Sequence, residues 1–88
     1  MAFGVREIQP TPNPNAQKFV LDRRVSEIPT NFYSLDQAKD HDLGTKLMTI
    51  PGVSNVLLLG DFITVGKRPE ARWSDINRQV KQALAAEN

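Results

Sequence analysis

The chain has 88 residues, a formal net charge of +1 and no cysteine. Its length fits one domain with a modest core, and its balanced charge gives no long-range attraction to nucleic acid or to an anionic membrane. The lack of cysteine excludes a disulfide framework, a thiolate zinc site, a cysteine nucleophile and a cysteine-ligated iron–sulfur cluster. No apolar run approaches the roughly 20 residues of a membrane helix, and the first residues do not follow a secretory signal pattern. We therefore expect a cytoplasmic protein without a membrane segment.

The N-terminal quarter predicts two antiparallel strands joined by a stiff loop. Alternation over residues 3–8 indicates a weak first strand, and residues 16–22 indicate a better one. Residues 9–15 lie between them and contain three prolines, which remove backbone donors that a central strand needs. A tight strand connection is the simplest interpretation of this loop, and a direct functional role is the alternative.

The segment from residue 22 to residue 40 gives the weakest pattern. Pro29 and its neighbours indicate a turn, and Phe32 with Tyr33 allows a short strand. Ser34 is a suitable cap for one helical turn. The pattern assigns no element firmly here.

The clearest helix ends at Ile50. Leu43, Leu47 and Ile50 fall at i, i+4 and i+7, which is one face of a helix. Asp40 or His41 is the expected N-cap. A Pro-Gly step follows and ends the helix, because proline cannot continue it and glycine accepts the backbone angles of an exit.

A hairpin follows, with strands at residues 53–59 and 62–65. Side chains alternate across a strand, so Ile63 and Val65 share one face and Phe62 takes the other. We assign Ile63 and Val65 to the side that the helices cover. Phe62 and at least one leucine then form a partly exposed apolar patch, which is typical of a contact site. Cover by the N-terminal arm or by the loop before the first helix is the alternative.

The last helix is expected from Trp73 onward, with Ser74 as its N-cap and an apolar stripe that includes Ile76, Val80 and Leu84. The element order is therefore ββαββα. This order predicts an α+β fold of two layers, an antiparallel sheet of about four strands with two main helices on one face.

Few residues are arranged for chemistry. The Asp-His-Asp run at residues 40–42 fits a helix cap better than a metal site, because consecutive helical side chains point in different directions. One histidine and scattered glycines give neither a catalytic triad nor a phosphate-binding loop. We expect no enzyme activity, no catalytic residue, no metal site and no cofactor. The alternative function is nucleic-acid binding through basic residues around the last helix, and the near-neutral charge argues against it. These residues are Lys67, Arg68, Arg72, Arg78 and Lys81.

Two motifs indicate a family. The first is Thr11-Pro12-Asn13-Pro14-Asn15, followed by Lys18-Phe19. The second is Ile50-Pro51-Gly52-Val53, which precedes Asp61-Phe62-Ile63-Thr64-Val65 and Trp73. In this order and spacing they resemble the N-terminal domain of Nfu/NifU-type iron–sulfur cluster scaffold proteins. The resemblance runs from Ile8 to about Leu84 and is poor over residues 22–40.

The resemblance implies a stand-alone Nfu N-terminal-like domain over residues 1–88, with an α+β fold. Family members usually carry a further C-terminal domain whose Cys-x-x-Cys pairs hold the cluster between two protomers. This chain has no cysteine. The cluster-ligating role therefore cannot be assigned to any of its residues. The implied role is an accessory module that binds iron–sulfur assembly or recipient proteins, in an oligomeric state that the sequence does not indicate. The expected partner contacts are Pro12, Asn13, Asn15, Asp61 and Phe62.

Overall fold

The computed structural model describes residues 3–87 and forms five strands and three helices within that range. The strands are β1 (Val5–Pro10), β2 (Ala16–Leu21), β3 (Ser26–Phe32), β4 (Val53–Gly60) and β5 (Phe62–Lys67), and the helices are α1 (Leu35–Ala38), α2 (Asp42–Met48) and α3 (Trp73–Ala85). All neighbouring strands pair antiparallel, in the order β1-β2-β5-β4-β3. The predicted α+β class is confirmed.

The core lies between the helices and one face of the sheet, which we call the covered face. Phe19, Ile63 and Leu58 pair in register across β2, β5 and β4 and are fully buried there. The helices close this layer with Leu47, Ile76, Val80 and Leu84. The alternation of the central strands thus places one set of apolar side chains under the helices.

The predicted count of about four strands and the order ββαββα need correction, because the structure has a fifth strand and an additional short helix. Strand β3 lies at the sheet edge, where Pro29 is tolerated since its missing donor need not serve a neighbour. A bulge between Ser26 and Thr30 breaks the alternation on which sequence recognition depends. Both hydroxyls lie within hydrogen-bond distance of the Ile28 carbonyl, at 2.7 and 3.1 Å.

The helix caps agree only in part with the sequence. Ser34 caps α1 by accepting from the Gln37 amide at 3.2 Å, and His41 caps α2 by accepting from the Gly44 amide through Nδ1 at 2.9 Å. The expected start of the last helix at Trp73 is confirmed, but its expected cap, Ser74, is wrong: the N-cap is Arg72, which makes no side-chain cap bond.

None of the helices formed by residues 3–87 has the length and apolar character needed to span a membrane.

Candidate protein-binding face

The second face of the sheet, which we call the open face, carries no helix within residues 3–87. Residues paired across antiparallel strands point to the same side, so the strand register defines which side chains share it. Its large apolar members are Val20, Leu57, Leu59 and Phe62, and its polar members include Glu7, Gln9, Lys18, Asn31, Asn55 and Thr64.

The apolar members of the open face are partly exposed and lie on the three central strands. Val20, Phe62 and Leu59 form one row across β2, β5 and β4. Leu57 lies in the neighbouring row, opposite Thr64. Because strands are about 4.8 Å apart, the row is about 10 Å wide. The face assignment made from the sequence is confirmed, since Ile63 and Val65 are buried on the covered face and Phe62 is not.

A lysine lies on this apolar row. The Lys18 ammonium is 4.3 Å from the centroid of the Phe62 ring. The ion pairs formed among residues 3–87 involve other cations, so Lys18 meets no carboxylate there. A cation over a partly exposed ring contributes about 0.5–1 kcal/mol, and the positive charge stays available to a partner.

Polar residues on the outer strands border the row. Glu7 and Gln9 lie on β1 and are joined by a hydrogen bond of 3.1 Å from the Gln9 amide to the Glu7 carboxylate. Asn31 lies on β3, opposite Leu57. An apolar centre inside a polar border is the usual arrangement of a protein–protein interface.

The proline-rich loop lies at one end of the sheet and is held by internal hydrogen bonds. The Asn15 amide donates to the Asn13 side-chain oxygen at 2.9 Å, and the Lys67 ammonium donates to the Asn15 side-chain oxygen at 3.0 Å. The Trp73 indole donates to the Pro14 carbonyl at 3.0 Å. The two motifs therefore meet in space, and the loop is fastened to the start of α3.

The five expected contact residues do not form one site. Ala16 pairs with Gly66 and Val20 with Phe62, so the loop before β2 and the turn before β5 lie at opposite ends of the sheet. Pro12, Asn13 and Asn15 belong to the first end, with Asn15 engaged internally, whereas Asp61 and Phe62 belong to the second. Their role as partner contacts stays a prediction.

Sequence reasoning missed the cation beside Phe62. Lys18 and Phe62 are far apart in the chain, and they become neighbours because β2 pairs with β5. The usable signal was the alternation of β2, which puts Lys18 and Val20 on one side. To place Lys18 beside Phe62, one must also know that β2 pairs with β5. The sequences of the two hairpins do not give that strand order.

Two open clefts lie outside the sheet face. One of about 560 Å³ is lined by residues that include His41, Asp42 and Glu87. Hydrogen bonding to Glu87 and the charge of Lys46 lower the pKa of Asp42. The Lys46 ammonium is 3.6 Å from Asp42 and 3.4 Å from Glu87, so this cluster joins α2 to the end of α3.

The other cleft, of about 570 Å³, contains three of the basic residues of the nucleic-acid alternative, Arg68, Arg72 and Arg78. Glu70 and Asp75 line the same cleft, and Asp75 is 3.9 Å from Arg78. The charges are thus mixed rather than uniformly positive. Across residues 3–87, histidine and carboxylate side chains do not gather in groups of three or more that could hold a metal ion.

Residues 5–87 match the family described as scaffold protein Nfu/NifU N terminal. The chain belongs to this family. The match confirms the family resemblance that the two motifs indicated. It spans nearly all of the residues that the structure describes. In this Nfu N-terminal domain Trp73 of the second motif fastens the proline-rich loop of the first motif to the start of α3.

The proteins similar to the chain include two bacterial relatives and one solved structure. YpgR of Bacillus subtilis is 32% identical over 85 residues, and conserved virulence factor C of Staphylococcus aureus is 30% identical over 84 residues. Each alignment covers 96% of this chain and 22% of the relative, so the chain spans about a fifth of their length. The crystal structure of protein SAV1430 from Staphylococcus aureus has a TM-score of 0.77 at 23% identity, covering 91% of this chain and 96% of that one. That likeness shows the fold.

Proposed function

We propose that this Nfu N-terminal domain is a non-catalytic, cytoplasmic protein-binding module that serves iron–sulfur cluster assembly or delivery without ligating the cluster. The observation that carries the proposal is the open face, where Phe62 and Leu59 remain partly exposed inside a polar border. Contiguous apolar surface on a small domain is typical of a site that another protein covers. The family description connects the domain to scaffold proteins.

The absence of cysteine argues against a role in which this domain itself ligates the cluster. Iron–sulfur clusters are held by thiolates in most proteins. Soft thiolate ligands are the ligands that favour binding of such clusters. This sequence has no cysteine and one histidine. The ligands of any cluster on which the domain acts must therefore come from outside these 88 residues.

Co-isolation from the cells of origin tests the proposal. The wild-type chain is crosslinked in cells, purified under anaerobic conditions, and its partners are identified by mass spectrometry. Cluster-assembly or cluster-containing proteins should be enriched, and Leu59→Ala should reduce that enrichment. The matched control is Leu35→Ala, which removes the same atoms from an exposed leucine on α1, away from the open face. Repeated enrichment of no such protein would overturn the proposal.

A separate prediction concerns the cluster itself. Anaerobic incubation of the purified chain with iron and sulfide, followed by desalting, should leave it colourless. The reason is the missing thiolates, for which scattered carboxylates and His41 are poor substitutes at an iron–sulfur site. A stoichiometric visible absorbance band that stays with the protein would contradict this prediction.

A further inference from the structure

The open face fits one class of partner more closely than others. We propose that its occupant is an amphipathic helix of a partner protein, which packs apolar side chains on Phe62 and Leu59 and places a carboxylate against the Lys18 ammonium. This inference rests on the proposed function and names the chemistry of its partner.

The backbone of the sheet argues for a helix. Within the central strands, N–H and C=O groups lie in the plane of the sheet and pair with the neighbouring strands. A segment lying on the open face finds no backbone partner there and must satisfy its own hydrogen bonds. A helix does so internally, whereas an extended strand does not.

The size of the apolar row agrees with this. The row from Val20 through Phe62 to Leu59 is about 10 Å wide, which is close to the diameter of one helix, about 10–12 Å. Leu57 extends the apolar surface along β4 by two residues, or roughly 7 Å. Amphipathic helices bind such surfaces through side chains at i, i+3, i+4 and i+7.

The positive charge of Lys18 on the open face is the reason to expect a carboxylate on the partner helix. A helix on this row covers Lys18, whose ammonium already lies over the Phe62 ring and meets no carboxylate within residues 3–87. Removing an ammonium from water costs free energy unless an opposite charge compensates. A glutamate or aspartate on the partner supplies that compensation. Glu7, an acidic member of the open face, accepts from Gln9 and forms no ion pair with Lys18.

Two synthetic helical peptides test the inference with the full chain. Both have about 18 residues with leucine at helical i, i+3, i+4 and i+7 spacing, and they differ in one position beside the leucine stripe, glutamate in one and glutamine in the other. Binding is measured by calorimetry and located by amide chemical-shift changes in the protein. We expect shifts on β2, β4 and β5, and about fivefold tighter binding of the glutamate peptide.

Two lysine variants distinguish a direct contact between the peptide carboxylate and Lys18 from a general electrostatic attraction between peptide and protein. Lys18→Met should remove the preference for the glutamate peptide, because methionine keeps the apolar stem and loses the charge. Lys81→Met makes the same change on the exposed face of α3 and should keep the fivefold preference. A preference that survives Lys18→Met would overturn the assignment of the carboxylate to Lys18.

The remaining outcomes are equally decisive. Chemical-shift changes confined to other surfaces, or no binding of either peptide, would overturn the helix inference. The proposed function would still be tested separately by the crosslinking experiment. Sedimentation of the chain alone addresses a different occupant. A dimer that Leu59→Glu dissociates and Leu35→Glu does not would assign the open face to a second copy and overturn the inference.

Discussion

The covered and open faces of the sheet are made from similar residues, but they differ in what they contact. On the covered face Phe19 and Ile63 are fully buried beneath α2 and α3. On the open face their strand neighbours Val20 and Phe62 remain partly exposed. The alternating side chains of β2 and β5 thus supply both faces, and the helices account for only one of them.

This difference teaches how to interpret a strand that is apolar on both sides. A central strand of a two-layer fold needs one apolar face, and polar residues serve the solvent side. In β4 both sides carry leucine, with Leu58 on the covered face and Leu57 and Leu59 on the open face. The surplus is concentrated beside Phe62 and Lys18, where a partner can cover it.

The largest expected effect compares neighbouring residues on opposite faces. Ile63→Ala should lower the free energy of unfolding by about 2–5 kcal/mol, because it leaves a cavity in a buried, packed site. Phe62→Ala removes more atoms but should cost about 1 kcal/mol, since its side chain is already partly exposed. Urea denaturation followed by circular dichroism and Trp73 fluorescence gives both values.

A reversed order would break the comparison. If Phe62→Ala were more damaging than Ile63→Ala, the open face would contribute to stability as a second core, and its use as a docking surface would lose its physical basis. Val65→Ala and Thr64→Ala repeat the test one pair further along β5, with Val65 buried and Thr64 partly exposed.

Much of this comparison could be predicted from sequence, because alternation is a local property. The hairpin of β4 and β5, the helix before it and the opposite orientations of Phe62 and Ile63 follow from short patterns. Strand β3 could not be predicted, since Pro29 and the adjacent bulge remove its alternation. The contact of Lys18 with Phe62 depends on pairing between distant strands, which no local pattern contains.

Two glycines extend the comparison at a smaller scale. A Cβ on Gly44 would lie 2.5 Å from the Phe32 ring on the covered side, in a packed contact that cannot easily move. Alanine gains about 1 kcal/mol in helix propensity, but overpacking typically costs about 1–3 kcal/mol. Gly44→Ala should therefore destabilise the domain by about 1 kcal/mol net.

The glycine on the open side should tolerate the same change. A Cβ on Gly66 would meet the side-chain amide of Asn55, which is partly exposed and can rotate toward solvent at the loss of its bond with Ser54. Gly66 is itself buried, but the group that must move is a side chain that can turn away, so Gly66→Ala should cost about 0.5 kcal/mol, the lower end for one lost hydrogen bond. Equal costs at Gly44 and Gly66 in thermal and urea denaturation would show that the open side is packed as firmly as the covered side.

The smallest expected effect comes from a carboxylate at the sheet end that belongs to neither face. The Gly4 amide donates to the Asp22 carboxylate at 3.0 Å, and Arg23 Nε is 3.5 Å away. The hydrogen bond from Gly4, with a smaller contribution from the Arg23 charge, lowers the pKa of Asp22 in the folded chain. The ionised form is therefore favoured more strongly in the folded state than in the unfolded state.

The sign of the pH dependence follows from this lowered pKa. The contribution of Asp22 is fully present above its unfolded pKa, which is about 4 for aspartate, and it is lost as the pH falls through the lower folded pKa. Asp22→Asn keeps an oxygen acceptor for Gly4 but loses the charge. Wild type should therefore have a slightly higher urea midpoint than Asp22→Asn at pH 7, and the gap should close as the pH falls below about 4, the unfolded pKa. A gap that stays constant over this range would mean that the hydrogen bond does not favour the ionised carboxylate, and that the arm before β1 is held by packing instead.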